Sequence, residues 1–494
     1  MVNSKRQDKV YSIEEVSKHN SKDDCWCIIH GKVYDLTNFL PEHPGGFSII
    51  LKYAGKDATK AFDPIHPSDI IEKLLPPEVE LGRVNLSEAQ GTEQEEDHFE
   101  TVKRKRPPIS SMLSLFDFET VAKHLMTKEA WAYYSSGADD EITLRENRGA
   151  FQRIWLKPRV MVNVQNIDLK TKILGRNSAL PIYITATALG KLGHPEGEVV
   201  LTRAAHSKNI IQMMPTLSSC SLSQMMDARQ KDQVQFLQLY VNSNREVTRA
   251  LIERAEAGGC KGLFITVDAP QLGRREKDMR MKYSADTDIQ DEADVDRNQG
   301  AARAISSFID PSLNWEDLAW FRSITKMPIA LKGIQNGADA VIAAKSGVDA
   351  IVVSNHGGRQ IDTGRSAIEI LPEVVSELKE HYRHNPRKRM EIYIDGGIRR
   401  GSDIFKALAL GADAVGIGRP FLYAMSTYGQ AGVEKAIDFL ADELTMTMRL
   451  MGTPLISDIT PSHVDARSLQ THSGQAPIDH WQQHIYEPLI PSKL

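Results

Sequence analysis

The chain has 494 residues, enough for two to four domains of ordinary size. Hydrophobic residues make up 41% and charged residues 25%, the balance of a globular protein, which excludes large-scale disorder. With 65 acids against 60 bases the formal charge is −5, which excludes a globally basic nucleic-acid binder.

The first ten residues, MVNSKRQDKV, hold no apolar core and read as no secretory signal. Asp8, Glu14 and Glu15 argue against an acid-poor mitochondrial presequence. Cys25, Cys27, Cys220 and Cys260 are too few and scattered for a disulfide framework and lack zinc spacing, which points to a reducing compartment. No apolar run reaches the length of a membrane span.

Residues 8–86 form the first expected unit, a small α+β domain in which apolar segments such as CWCIIHGKVYDL alternate with polar turns. His43-Pro44-Gly45-Gly46 marks one turn, and His66 follows in AFDPIHPSD. Two neutral imidazoles from separate loops can hold an iron from both faces of a flat macrocycle. With both axial positions filled, oxygen has no open site and the task is electron transfer. The string DDCWCIIHGKVYDLTNFLPEHPGG, followed by YAGKDATKAF, closely resembles the cytochrome b5 haem-binding domain over Val10 to Val84. The resemblance implies His43 and His66 as axial ligands of a b-type haem. His19 and His30 fall outside the motif and are read as structural.

From residue 87 to 109 an acid-rich run precedes Lys103-Arg104-Lys105-Arg106 and then Pro107-Pro108. Such a stretch buries little and ends stiffly, so it reads as a hinge. The basic run is that of a solvated linker rather than a nuclear address.

Residues 110–494 alternate short β-rich runs with helical stretches: PIYITA (181–186), IIQMM (210–214), QFLQLYV (235–241), LFITVD (263–268), PIALKG (328–333), AIVVSN (350–355), IYIDGG (392–397) and AVGIGR (414–419). Eight such units predict an α/β fold, a (β/α)8 TIM barrel. A doubly wound sheet shows the same alternation, but the G-x-G-x-x-G fingerprint is absent. The acidic segment 284–303 follows the fourth strand and reads as a lid or a disordered insertion.

Barrel chemistry sits at the C-terminal ends of strands. There the sequence places a histidine, a lysine, acids and arginines on successive strands. His356 is a candidate general base, and Asp268 is the carboxylate that would fix its tautomer. Arg275 and Arg359 suit a substrate carboxylate, with Arg274 the solvent-facing neighbour. The glycine-rich turns carrying Arg399 and Arg419 suit a phosphate after strands seven and eight.

These strings together resemble the FMN-dependent 2-hydroxy-acid dehydrogenase and oxidase family, whose signature is SNHGGRQ. The match includes AWAYYSSGADDE, ITATALGKLGHP, QLYVN, TVDAPQLGRREKDM, LKGI and IDGGIRRG. The resemblance implies that Tyr133, Tyr240, Arg275 and Arg359 hold the substrate, with His356 as base and Asp268 as its partner. It implies Lys332 at the N1–C2 carbonyl edge of the flavin. Ala186, Thr187, Ala188, Gln238 and Thr266 would contact the ring and ribityl chain. Asp395, Gly396, Gly397, Ile398, Arg399, Gly418 and Arg419 would hold the ribityl chain and phosphate. Lys282 matches a position that reaches toward the haem propionates. One departure stands out: the family's flavin-contacting serine is here Pro215, so that contact is lost or supplied by Ser218 or Ser219. Ala188 and Leu217 favour a short substrate side chain.

The expected activity is oxidation of an L-2-hydroxy acid, L-lactate to pyruvate. Electrons would pass through haem to a one-electron acceptor such as cytochrome c. The alternatives are a peroxisomal oxidase using dioxygen and a non-catalytic redox sensor. The resemblance also implies a homotetramer, and no nucleic-acid or membrane partner is expected. Ser492-Lys493-Leu494 reads as a peroxisomal address. The resemblance offers the mitochondrial intermembrane space instead, and the cytoplasm is the third reading.

Overall fold

The computed structural model describes residues 9–43, 47–67, 69–85, 98–283, 309–386 and 389–471. The segment 284–303 and the C-terminal tripeptide therefore lie outside the described residues.

The N-terminal unit is built on a five-stranded mixed sheet. Its spatial order is Val10–Tyr11, Glu80–Val84, Lys32–Asp35, Asp24–Ile29, Asn20–Ser21. Strand alternation divides the sequence DCWCII between two faces. Cys25, Cys27 and Ile29 join Tyr34, Leu36 and Leu40 in one apolar cluster, packed against Phe39, Phe47, Phe62 and Ile71. Ile28 joins Tyr11, Val16, Val33 and Val84 on the other face. His19 and His30, expected to be structural, each have a partner for the ring. The His19 ring stacks on Trp26 with centroids 3.5 Å apart, and His30 Nε2 lies 2.7 Å from Asp63.

The second unit is a closed eight-stranded parallel barrel formed by Ile182–Ile184, Ile211–Met214, Gln235–Leu239, Leu263–Thr266, Ile329–Ile334, Ala350–Val353, Glu391–Asp395 and Ala414–Ile417. The eighth strand closes on the first through Val415 opposite Ile182. All eight expected strands are present. Most end a residue or two earlier than their β-rich strings, because the polar C-terminal residues turn into the site. The interior is filled by large side chains such as Tyr183, Phe236, Phe264 and Tyr393. An antiparallel hairpin, Thr171–Ile173 with Arg176–Ser178, plugs the N-terminal mouth, where Leu174 N–H donates to the Tyr393 hydroxyl at 2.7 Å. The working end is therefore the opposite one.

The connecting stretch departs from the expectation of a solvated hinge over its described part. His98–Lys105 is a helix in which Val102 is buried. Lys103, Arg104 and Lys105 occupy its last turn, where cations favour the helix dipole. Beyond it, Arg106 donates to the Thr427 carbonyl at 2.5 Å and lies over the Tyr428 ring, whose hydroxyl donates to the Pro107 carbonyl. A composition reading misses these partners because all of them belong to a helix more than 300 residues away.

All four cysteines are free and buried. Among the described residues no helix is long and apolar enough to cross a membrane.

Candidate functional site

At the C-terminal end of the barrel a cavity of about 350 Å³ opens. Its lining draws on the C-terminal ends of all eight strands and on the helix Lys128–Ser135, which supplies Tyr133. Every barrel residue expected at the site reaches this cavity except Asp268, which sits behind His356 with no exposed side-chain surface.

The catalytic group converges as expected. His356 Nδ1 lies 2.9 Å from Asp268 Oδ1, and its Nε2 lies 3.0 Å from the Tyr240 hydroxyl. Asp268 accepting from Nδ1–H leaves the Nε2 lone pair facing the cavity, which is the tautomer a base needs. Burial pushes the His356 pKa below the usual imidazole range, with Lys332 and Arg275 adding to the effect against the pull of Asp268. Burial would raise the Asp268 carboxyl, but His356 and Lys332 outweigh it and hold it low. The pair is therefore a neutral imidazole on a carboxylate. Asp268 Oδ2 is buried without a hydrogen-bond partner among the described residues, so that oxygen is stabilised only through space, by neighbours such as Lys332.

Two guanidinium groups line the same cavity. Arg275 is buried, and burial together with Arg359 lowers its pKa to about 10. Arg359 donates to the carbonyls of Tyr133 and Ser136, and its guanidinium lies 5.0 Å from the centre of the Tyr133 ring. Two crowded cations near a base form a site that an anionic carboxylate relieves. Arg274, by contrast, is mostly exposed and pairs with Glu276.

Deeper in the barrel, Lys332 is buried, and its Nζ lies 3.3 Å from Asp395 Oδ2 and 3.1 Å from Ser354 Oγ. Burial opposes its charge, but Asp395 and Asp268 raise its pKa, so it remains an ammonium. Ser354 also donates to Asp395 Oδ1 at 2.5 Å and accepts the His356 N–H, tying the lysine to the base. Sequence reading missed Ser354 as a functional residue, although it opens the signature string.

At the far end Gly396 and Gly397 have φ of +92° and +84°, and a side chain on Gly397 would collide with the Asn147 carbonyl. Arg399 and Arg419 line the cavity but are already engaged. Arg399 grips Glu119 with both terminal nitrogens, while Arg419 donates to the carbonyls of Tyr134, Gly357 and Ser136. A cation that sequence reading missed is Arg148, on the helix Ile142–Gln152, whose guanidinium lies over Phe116. Burial, with the neighbouring Arg399 adding to it, lowers its pKa against the pull of Glu119 and Asp403. No local signal could have found it, because it reaches the site from a helix that precedes the barrel.

Pro215 lines the cavity, but neither expected substitute replaces a lost serine there. Ser218 donates to the Cys220 carbonyl and Ser219 to the Pro64 carbonyl. Thr187 lines the same cavity, and its buried hydroxyl has no partner among the described residues. With an ammonium at the ring end, an unpartnered hydroxyl and a cation-rich glycine turn, these residues fit a flavin mononucleotide. Lys332, Gln238 and Thr266 would face its ring, and Arg148 with the Asp395–Arg399 turn its ribityl phosphate.

In the N-terminal unit His43 and His66 face one another with ring centroids 6.1 Å apart. A bond between imidazole nitrogen and a first-row metal such as zinc is about 2 Å. Two such bonds and two half-rings account for that separation. His66 Nδ1–H donates to the Phe62 carbonyl, which leaves Nε2 for a metal. Burial, with His43 nearby, lowers the His66 pKa to about 4, so the ring is neutral as a ligand must be. Phe62 stacks on it and Phe39 edges onto His43, giving apolar walls for a haem. The side chain of Lys282 and the residues Pro44-Gly45-Gly46 lie outside the described residues.

Residues 122–466 match the FMN-dependent dehydrogenase family, and residues 12–85 match the cytochrome b5-like haem/steroid binding domain. The chain is 52% identical to an L-lactate dehydrogenase (cytochrome) of Wickerhamomyces anomalus, over 96% of this chain and 82% of that protein. It is 46% identical to the protein of the same name from Saccharomyces cerevisiae, with the same coverage. A peroxisomal (S)-2-hydroxyacid oxidase of Arabidopsis thaliana is 42% identical over 72% of this chain and 97% of its own length. Among solved structures, a flavocytochrome b2 mutant with pyruvate bound superposes with a TM-score of 0.71 at 44% identity, covering 80% of this chain and 97% of that one. The chain belongs to the FMN-dependent dehydrogenase family and carries a cytochrome b5-like haem domain in front of the family's barrel.

Proposed function

We propose that this protein oxidises an L-2-hydroxy acid, L-lactate to pyruvate, and delivers the electrons one at a time through a b-type haem to an external acceptor such as cytochrome c. The observation that carries the reading is the placement of His356. Its Nε2 faces a cavity shared with Arg275 and Arg359, while Asp268 holds its other nitrogen. The arginines bind the substrate carboxylate, Tyr240 and His356 hold the hydroxyl end, and His356 removes a proton. Bound FMN supplies a two-electron sink. His43 and His66 would hold the haem, which supplies one-electron transfer when bound. Mixing the holoenzyme with L-lactate in a stopped-flow instrument tests this: flavin absorbance should bleach first and haem reduction should follow. Flavin bleaching without haem reduction, accompanied by oxygen uptake, would favour the oxidase reading.

Two narrower proposals accompany it. Assembly with further copies of the chain is supported by an exposed apolar strip formed by Val160, Met161, Met446, Leu450 and Leu455. Backbone contacts such as Arg159 N–H to the Met451 carbonyl keep its parts together. A strip of this kind is buried more readily by another subunit than by water, and sedimentation reads the number of copies. Residence in the peroxisome is supported by Ser492-Lys493-Leu494, an address that acts only at a free C-terminus.

A further inference from the structure

One hydrogen bond joins the two units beside both cofactor sites. The hydroxyl of Ser219 donates to the main-chain carbonyl of Pro64 at 2.8 Å. Pro64 lies two residues before the haem ligand candidate His66. Ser219 lies two residues after Leu217, a wall of the flavin cavity. Ser219 has no exposed surface, so its single hydroxyl proton is committed to this contact rather than to water.

The seat beneath that hydroxyl is rigid. Ser219 Oγ accepts the Lys191 N–H at 3.2 Å from the loop after the first barrel strand. The fully buried Glu198 carboxylate accepts the N–H groups of Gly190, Ser219 and Cys220 at 2.8, 3.0 and 3.1 Å. Both loops are thereby pinned to one helix, and the serine is held where a carbonyl from the other unit can meet it. Neither the base nor the arginine pair touches this network in any described contact.

We propose that Ser219 is a positioning residue for electron transfer between the cofactors, latching the His66 loop over the Leu217 edge of the flavin cavity. The inference rests on the flavin-to-haem reading above and adds the residue that sets the register of the two units. A main-chain acceptor suits such a latch, since its position depends only on the fold of the His66 loop.

The test is stopped-flow reduction of the holoenzyme by L-lactate, read separately at flavin and haem wavelengths, in Ser219→Ala, Ser219→Thr and Ser219→Val. Losing one such bond typically changes an equilibrium by about fivefold. Flavin-to-haem transfer should therefore slow by about that factor or more in Ser219→Ala and Ser219→Val. Flavin reduction should stay within about twofold, and Ser219→Thr, which keeps a hydroxyl, should transfer faster than the isosteric Ser219→Val. Hydrogen exchange of the intact chain should show faster exchange over residues 62–67 in the two variants without a hydroxyl. Equal transfer rates in Thr and Val variants, or unchanged exchange over 62–67, would overturn the latch. Failure of lactate to bleach the flavin in the unmodified enzyme would instead overturn the functional reading on which it stands. Should Ser219→Ala not retain both cofactors, the Thr and Val pair carries the comparison.

Discussion

Gly333 makes room for Asp268. The glycine adopts φ +117° at a register shift in the fifth barrel strand, and a β-carbon there would lie 2.5 Å from Asp268 Cβ and 2.6 Å from its Cγ. The carboxylate that fixes the base thus depends on a missing side chain one strand away. Gly333→Ala should push Asp268 off His356 while leaving FMN content unchanged. A displacement near 1 Å can cost about a hundredfold in rate, and pre-steady-state flavin reduction reads it. A variant that reduces its flavin at the normal rate would show that Asp268 has slack.

His356→Gln should retain FMN, because the cavity wall is otherwise intact, but should reduce it far more slowly. Loss of a general base costs about a hundred- to ten-thousandfold. Flavin absorbance gives the occupancy and stopped-flow the rate. Near-normal reduction would remove His356 from the mechanism.

The acid limb of flavin reduction should lie below the ordinary imidazole value of about 6.5. Only neutral His356 is a base, and burial depresses its pKa, so the active form persists as pH falls and is lost on crossing the depressed value. Asp268→Asn removes the carboxylate whose charge and hydrogen bond raise that pKa. The limb should then move further to the acid side while the plateau falls, and the pH profile of kcat/KM shows both changes. A limb moving toward neutral pH would contradict this charge arrangement.

His43→Ala should abolish stable haem binding and leave flavin reduction by substrate intact. The two histidines that face one another at 6.1 Å lie in a unit with its own sheet and apolar cluster. The haem absorption band and the flavin bleaching rate separate the two effects. Loss of both would mean that the barrel depends on its neighbour for folding.

Deleting Ser492-Lys493-Leu494 from a protein tagged at its N-terminus should move it from peroxisomes to the cytosol. Microscopy against a peroxisomal marker gives the answer. A distribution that ignores the deletion would leave the tripeptide without a role.

The eight barrel strands and the facing histidine pair were legible in the sequence because both are local signals. Each strand is a short apolar run closed by polar residues, and His43 and His66 each lie within a short contiguous motif. His356 and Asp268 were also legible, since barrel geometry dictates that strand ends meet. What the sequence did not contain was any sign of contacts made across long separations. Arg148 reaches the flavin cavity from a helix before the barrel, and Arg106 finds Thr427 on the last helix. Ser219, expected as a possible flavin contact, turns instead to Pro64, 155 residues earlier. Periodicity and composition report which face of an element is apolar, and so determine the elements and their class. A hydrogen bond is decided by position within a few tenths of an ångström. Only the closed barrel, and the unit set against it, place those donors and acceptors.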